Sequence, residues 1–169
     1  MRRRSVAATL AVGFAALGFL ATMVAGAEGA TGGEVTRTRL PNGMTVLVRE
    51  NPTAPVVAMS LMVRMGTRWE TRASAGLSNF LQLMVVRGTP NRDGTEIVNA
   101  ADRMGGSIDA YAEPDYAEVA ATALSRFWAD MLDLVADVAL RPSLEAGTIQ
   151  AVRDFLARQI TNRADKPYD

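Results

Sequence analysis

The side chains that most often carry enzyme chemistry are missing from this sequence of 169 residues, which contains no histidine and no cysteine. Histidine is the commonest base near neutral pH and, with cysteine, the commonest zinc ligand. The only lysine is Lys166, near the end of the sequence, so no serine or threonine has an evident partner base. A transition-metal site would have to use carboxylates and amides alone, which suit zinc poorly.

One group of carboxylates is clustered in the sequence, around a predicted tight turn at Glu113-Pro114-Asp115. Paired carboxylates can act as a general acid and base, so this cluster supports one hypothesis, a hydrolase that uses unrelated residues of its own. Acidic side chains around a turn are more often solvated, and we favour that interpretation. The cluster consists of Asp109, Glu113, Asp115 and Glu118.

Residues 1–27 have the pattern of a secretory signal peptide. Three arginines, Arg2 to Arg4, precede an uncharged apolar stretch, and Ala25-Gly26-Ala27 supplies the small residues of a cleavage site. We expect cleavage before Glu28 and a secreted or periplasmic location in a bacterial envelope. The alternative is an uncleaved membrane anchor, because the apolar stretch is about long enough to span a bilayer.

The rest of the sequence is predicted to be a Gly-rich linker, residues 28–34, followed by one domain, residues 35–169. This length is enough for a real hydrophobic core. The full sequence has 18 basic and 18 acidic residues. Cleavage of the signal peptide would remove Arg2, Arg3 and Arg4 and leave an excess of acidic residues. That charge gives no electrostatic basis for nucleic-acid binding. Without cysteine, no disulfide framework is available.

Residue patterns along the domain predict grouped strands and helices. A hairpin turns at Pro41-Asn42-Gly43, and the β-rich run from Val56 to Met65 is expected to be a central, largely buried strand. A helix from Ala73 to Val86 and a second one capped by Thr95 follow. A second hairpin, around residues 113–115, and two further helices complete the order β-β-β-α-α-β-β-α-α. This grouping predicts an α+β fold with a mixed or antiparallel sheet covered by helices.

Apolar residues at helical spacing mark the predicted core faces of these helices. On the first helix, Leu77, Phe80 and Met84 are interpreted as core residues, not as the lining of a ligand pocket. On the third helix Leu132 is placed on the inward face, and on the last helix Ile160 shares one face with Ile149, Val152 and Leu156.

Four segments together resemble the N-terminal domain of the pitrilysin/insulinase family of zinc peptidases. The similarity covers essentially the whole sequence after the signal, so the chain is identified as a member of that family. Relatives carry more of this domain and at least one further homologous domain, so the sequence is expected to be a fragment, incomplete at its C-terminal end. The segments are Leu40-Pro41-Asn42-Gly43-Met44, Val63 to Glu70, Gly76 to Thr89 and Gly105 to Ala110.

The resemblance also locates the positions that hold zinc in active relatives. Their helix carries H-x-x-E-H, in which two histidines on one face bind zinc and the glutamate is the general base. At these positions this sequence has Asn79, Gln82 and Leu83. The second glutamate ligand of active relatives, on a later helix, falls on Gln159.

All four positions have therefore lost the family chemistry. Gln82 cannot take a proton, and Leu83 cannot bind metal. Glutamine at positions 82 and 159 also removes two buried charges that would have no metal to balance them. We expect no catalytic residue, no metal site and no zinc, and hence a degenerate metallopeptidase homologue that is not an enzyme.

The resemblance implies a non-catalytic subunit, because some family members work as heterodimers in which one subunit lacks the zinc motif. This chain would then pair with an active, secreted zinc peptidase homologue and help to bind peptide or unfolded protein substrate. The candidate contact is the strand segment Ser107-Ile108-Asp109-Ala110, which an extended peptide could join by β-augmentation. Asp109 stands where the family has asparagine, and an ordinary sheet element remains the alternative. A stand-alone peptide-binding or scaffold protein of the envelope is the second function hypothesis.

Overall fold

A computed structural model of the chain describes residues 33–164, so the predicted signal peptide lies outside the described residues. The described part divides between Ala54 and Pro55 into two compact units, and each is described by itself. No helix among these residues is both long and apolar enough to cross a membrane. The strands are β1 (Val35–Arg39), β2 (Thr45–Arg49), β3 (Val56–Val63), β4 (Gly88–Thr89), β5 (Arg92–Asp93), β6 (Ser107–Ala112) and β7 (Ala117–Leu124). The α-helices are α1 (Leu77–Val85), α2 (Gly94–Arg103), α3 (Trp128–Leu140) and α4 (Ala146–Ala164).

The first unit contains the hairpin of β1 and β2, which pair antiparallel with Val35 opposite Arg49. Gly43 has a φ of 87°, in the left-handed region that favours glycine. The Asn42 side chain accepts a hydrogen bond from the Met44 amide at 3.1 Å. The predicted hairpin at Pro41-Asn42-Gly43 is confirmed.

The second unit contains a three-stranded antiparallel sheet in the order β3-β7-β6. The prediction of a central, largely buried strand from Val56 to Met65 was wrong. β3 lies at one edge of this sheet and is mostly exposed, whereas β7 is central and mostly buried. A continuous apolar run does not show whether a strand has one neighbour or two, because that depends on long-range pairing.

The core of the second unit lies between this sheet and its helices. The small side chains of β7 share one buried cluster with the larger apolar residues of α2 and α3. Helix α1 also contacts β6 and β7. The predicted α+β class, an antiparallel sheet covered by helices, is confirmed. The buried cluster includes Ile97, Ala101, Ile108, Val119, Ala121, Ala123, Met131, Leu134, Val135 and Val138.

Helix α2 begins at Gly94 through a capping box, not at a Thr95 cap as predicted. The Glu96 amide donates to Asp93 Oδ1 at 2.8 Å, and the Asp93 amide donates to Glu96 Oε2 at 2.9 Å. An acidic residue followed three positions later by glutamate is the stronger start signal, because it satisfies two free amides at once.

One apolar side chain assigned to an inward helix face lies outside. Leu132 is 49% exposed. Helix α3 is apolar around most of its circumference, so the spacing of its apolar residues does not single out the buried face.

Candidate functional site

Helix α1 is held at its start by a carboxylate that precedes it in the sequence. Glu70 accepts hydrogen bonds from the amides of Gly76 and Ser78, both at 2.7 Å. Gly76 has a φ of 89°, and the residues before it form turns, so the helix starts at Leu77 and not at Ala73 as predicted. Leu77 is therefore the first residue of the helix that carries the family motif positions.

The pKa of Glu70 is lowered, first by the Ser78 amide and then by the Gly76 amide, because both donate to the carboxylate. A carboxyl group whose pKa is lower in the folded state stabilises the fold above its unfolded pKa. That contribution is lost as the pH falls through the folded pKa. We expect Glu70→Gln to be less stable than the parent near neutral pH, with the difference shrinking on acidification.

Urea unfolding followed by circular dichroism between about pH 3 and pH 7 measures this difference. Glu113→Gln is the control for loss of one negative charge, because the Glu113 carboxyl makes no hydrogen bond within residues 33–164. A stability gap between the parent and Glu70→Gln that stays constant across this pH range would contradict the assignment.

Two of the four motif positions lie on one groove. Asn79 on α1 and Gln159 on α4 both line an open groove of about 1400 Å³ in front of the turn at residues 73–76. Leu77 and Phe80, predicted to be core residues, line this groove instead, and Leu77 is 58% exposed. They were misassigned because helix periodicity marks an apolar face without showing whether that face is filled. The remaining apolar lining includes Ile149, Leu156 and Ile160.

The other two motif positions do not line the groove. Gln82 is buried, and its Oε1 atom has no hydrogen-bond partner within the described residues. Leu83 is half-buried. Amides at positions 79 and 159 with a hydrocarbon at position 83 do not match the nitrogen, thiolate and carboxylate ligands that hold zinc. Among residues 33–164, no group of three or more acidic residues is placed to hold a metal ion.

Of the four carboxylates grouped in the sequence, Asp109 and Glu118 line one small open pocket on the sheet, and the other two do not. Glu113 and Asp115 are exposed in the turn between β6 and β7, and Asp115 forms an ion pair with Arg68 at 2.9 Å. Asp109 is exposed on β6. The solvated-turn interpretation fits these three residues, but Glu118 differs because it is only 6% exposed.

Glu118 is satisfied by two hydroxyl groups. Its carboxylate accepts from Ser60 Oγ and from the Tyr111 hydroxyl, both at 2.6 Å. The hydrogen bond from the Tyr111 hydroxyl to Glu118 is the main reason that the pKa of Tyr111 is raised to about 12. The Tyr111 hydroxyl therefore stays protonated near neutral pH and does not act as a base.

The turn between β6 and β7 is tied to the segment that precedes α1. The amide of Thr67 donates to the Glu113 carbonyl at 3.1 Å, and the amide of Arg68 donates to the Pro114 carbonyl at 2.9 Å. The segment from Thr67 to Glu70 is therefore bonded to this turn at one end and to the start of α1 at the other.

The candidate peptide strand β6 lies at the edge of the sheet opposite β3. Within the described part of the chain, β6 pairs with β7 alone, so its outer edge has no strand partner there. Ser107 and Asp109 are exposed, Ala110 is half-buried, and Ile108 is in the core. Helix α1 packs on β6 on one side and on α4 on another, so the same helix borders the strand and the groove.

Sequence reasoning missed one charged residue of this groove, Arg153 on α4. An arginine in the middle of a helix has the same local pattern whether it faces solvent or a groove. It also missed the buried Asp137, which accepts from Thr89 Oγ1 at 3.0 Å and from Arg92 Nη1 at 2.6 Å.

These features define the class of protein. It is an α+β domain in which α1 and α4 frame a groove and β6 forms one edge of the sheet. Residues 45–168 match the insulinase family, peptidase family M16. The chain belongs to this family, as its sequence motifs indicated.

Individual relatives agree with the family assignment. The chain is 31% identical over 133 residues to an uncharacterized zinc protease of Mycobacterium tuberculosis, covering 79% of this chain and 30% of that protein. It is 29% identical to the mitochondrial-processing peptidase subunit beta of Blastocladiella emersonii, covering 72% of this chain and 26% of that protein. The chain thus spans less than a third of the length of these relatives.

Solved structures show the same fold. A protease from Helicobacter pylori has a TM-score of 0.73 at 20% identity, covering 79% of this chain and 32% of that one. The peptidase M16 inactive domain from Pseudomonas fluorescens has a TM-score of 0.67, also at 20% identity, covering 72% of this chain and 30% of that one.

Proposed function

We propose that this chain is a non-catalytic member of the insulinase family that binds peptide beside an active zinc peptidase. The observation that carries the proposal is the pair of amides, Asn79 and Gln159, which face one groove where active relatives present zinc ligands. Neutral amides donate and accept hydrogen bonds but provide neither charge nor proton transfer. The groove is therefore suited to binding and not to hydrolysis.

The environment of Gln82 supports the absence of catalysis. A general base must take a proton, and a glutamine amide does not. The Gln82 Oε1 atom is buried without a hydrogen-bond partner among residues 33–164, a site where an ionised carboxylate would be strongly disfavoured. Glutamine is thus better tolerated at this position than glutamate in a metal-free domain.

Peptide binding is supported by the position of β6. Its outer edge is unpaired within the described strands, and an extended peptide added there would run beside α1. Main-chain hydrogen bonds along this edge would give affinity with little dependence on sequence. The groove that contains Asn79 lies between α1 and α4, so α1 contacts both the strand and the other groove wall.

The proposed partner and location rest on family membership and on the predicted signal peptide. One structural neighbour is described as an inactive domain of a family M16 peptidase, so inactive domains exist on this fold. We propose a heterodimer with a secreted zinc peptidase homologue, in the periplasm or outside the cell. Zinc would be bound by that partner and not by this chain.

Affinity purification of the tagged chain from its own periplasm tests this function. Zinc content and peptide cleavage are measured on the purified chain and on the eluate. We expect chelator-sensitive cleavage only in eluates that contain a homologue with an intact H-x-x-E-H motif. An eluate that binds peptide without a homologue would favour a stand-alone peptide-binding protein, and stoichiometric zinc on the isolated chain would contradict the proposal.

Restoration of the motif provides a second test. A quadruple variant, Asn79→His, Gln82→Glu, Leu83→His and Gln159→Glu, is expected to bind about one zinc ion per chain, because it regains three ligands and the base. The matched control omits only Leu83→His and is expected to bind zinc at least about 100-fold more weakly. Zinc is measured by elemental analysis after dialysis, with circular dichroism to verify folding. Equal zinc binding by the parent and the quadruple variant would show that these positions are not the metal site.

A further inference from the structure

The groove between α1 and α4 contains a single charged side chain among the described residues. Arg153 lines it, and no aspartate or glutamate does. The other polar groups are the hydroxyl of Ser74 and the amides of Asn79, Gln159 and Asn162. The groove therefore combines apolar walls with one cation and several neutral hydrogen-bonding groups.

Arg153 has no ion-pair partner within residues 33–164. The adjacent carboxylate of Asp154 accepts a hydrogen bond from Gln150 Nε2 at 2.9 Å and is not part of the groove lining. The amides of Gly76 and Ser78 at the start of α1 are occupied by Glu70. The guanidinium of Arg153 is thus the group in this groove that remains available to an anion.

We propose that the groove binds a carboxylate of an extended peptide, held by Arg153, while the amides of Asn79 and Gln159 bind other polar groups of the same peptide. A guanidinium can donate two parallel hydrogen bonds to a carboxylate, and side-chain amides can donate to or accept from the peptide backbone. Leu77, Phe80 and the apolar residues of α4 then contact the aliphatic part of the peptide. This inference rests on the proposed peptide-binding function and names its ligand class, peptides with a carboxylate near the bound end.

The size of the groove fits a peptide segment better than a small molecule. Its volume of about 1400 Å³ exceeds the roughly 300–1,000 Å³ of pockets that enclose drug-sized ligands. The groove is also open along its length, between the turn at residues 73–76 and α4. Arg153 is exposed to solvent, so its contribution to affinity is modest and sensitive to salt.

Fluorescence anisotropy with three labelled peptides tests the inference on the full chain. The peptides share one uncharged, apolar ten-residue sequence and end in a free carboxylate, in a carboxamide, or in glutamate followed by a carboxamide. We expect the carboxylate forms to bind roughly three- to ten-fold more tightly than the carboxamide. The two carboxylate forms distinguish a peptide C-terminus from an acidic side chain as the source of the anion.

Variants at position 153 separate the inference from the proposed function. Arg153→Ala is expected to remove the preference for carboxylate over carboxamide, and Arg153→Lys to retain part of the preference. Arg158→Ala, an exposed arginine of α4 that does not line the groove, is the control. Equal binding of all three peptides to the parent overturns the carboxylate site but leaves peptide binding intact. Binding of none of them overturns both.

Discussion

Gly106→Ala is expected to reduce the free energy of unfolding by about 3 kcal/mol or more, because a Cβ atom at this position has no space. It would lie 1.7 Å from the carbonyl oxygen of Thr122 and 2.9 Å from Cα of Ala123. Both are backbone atoms of the central strand β7, so no side-chain rotation relieves the overlap. The first residues of β6 must separate from β7, which also displaces the strand proposed to receive peptide.

Urea unfolding followed by circular dichroism measures this loss, and it is preferable to tryptophan fluorescence because Trp69 and Trp128 are both exposed. Gly147→Ala in α4 is the matched control, because a Cβ atom there would meet nothing within 4 Å beyond the backbone of its own helix. It is expected to raise stability by up to about 1 kcal/mol through helix propensity. Similar midpoints for the two alanine variants would contradict the close approach of β6 and β7.

Asp137→Ala is expected to lower the free energy of unfolding by about 2–3 kcal/mol. Asp137 is 1% exposed and joins α3 to the β4–β5 segment through Thr89 and Arg92. Removal of a buried charge leaves its partners uncompensated, which typically costs about 3–5 kcal/mol. The expected loss is smaller here because the Arg92 side chain is partly exposed and keeps some solvation.

Arg141→Ala is the control for this network. Arg141 Nη2 lies 3.0 Å from Asp137 Oδ1, within ion-pair distance, but Oδ1 accepts no hydrogen bond in the described structure. The Arg141 side chain is also largely exposed, so we expect a loss below about 1 kcal/mol. If Arg141→Ala proved as damaging as Asp137→Ala, the buried carboxylate would not be the centre of the network. The readout is the urea midpoint at constant slope.

Elements of the fold that are determined by residues close together in the sequence could be predicted. The turn at Asn42-Gly43 and the turn at residues 113–115 both join strands whose pattern is visible locally, and both hairpins are present. The edge position of β3 could not be predicted, because strand order is decided by pairing between distant segments. The start of α1 was also missed, since it depends on Glu70, which lies outside the helix.

The candidate site was accessible to sequence reasoning only in part. The four motif positions came from the family resemblance and not from periodicity. The structure adds that Asn79 and Gln159, far apart in sequence, share one groove. The role of Arg153 could not be inferred, because the groove that surrounds it is formed by two helices whose packing no local pattern records.

The hydrogen bonds of the segment from Thr67 to Glu70 connect the loop after the peptide strand to the start of the motif helix without passing through the core. We expect the two ends of so short a connection to open and close together, as one cooperative unit of local unfolding. A peptide that orders β6 would therefore also slow the fraying of the first turn of α1. If peptide binds to β6 as proposed, we expect its effect to reach the start of α1 and to link the strand and the groove thermodynamically.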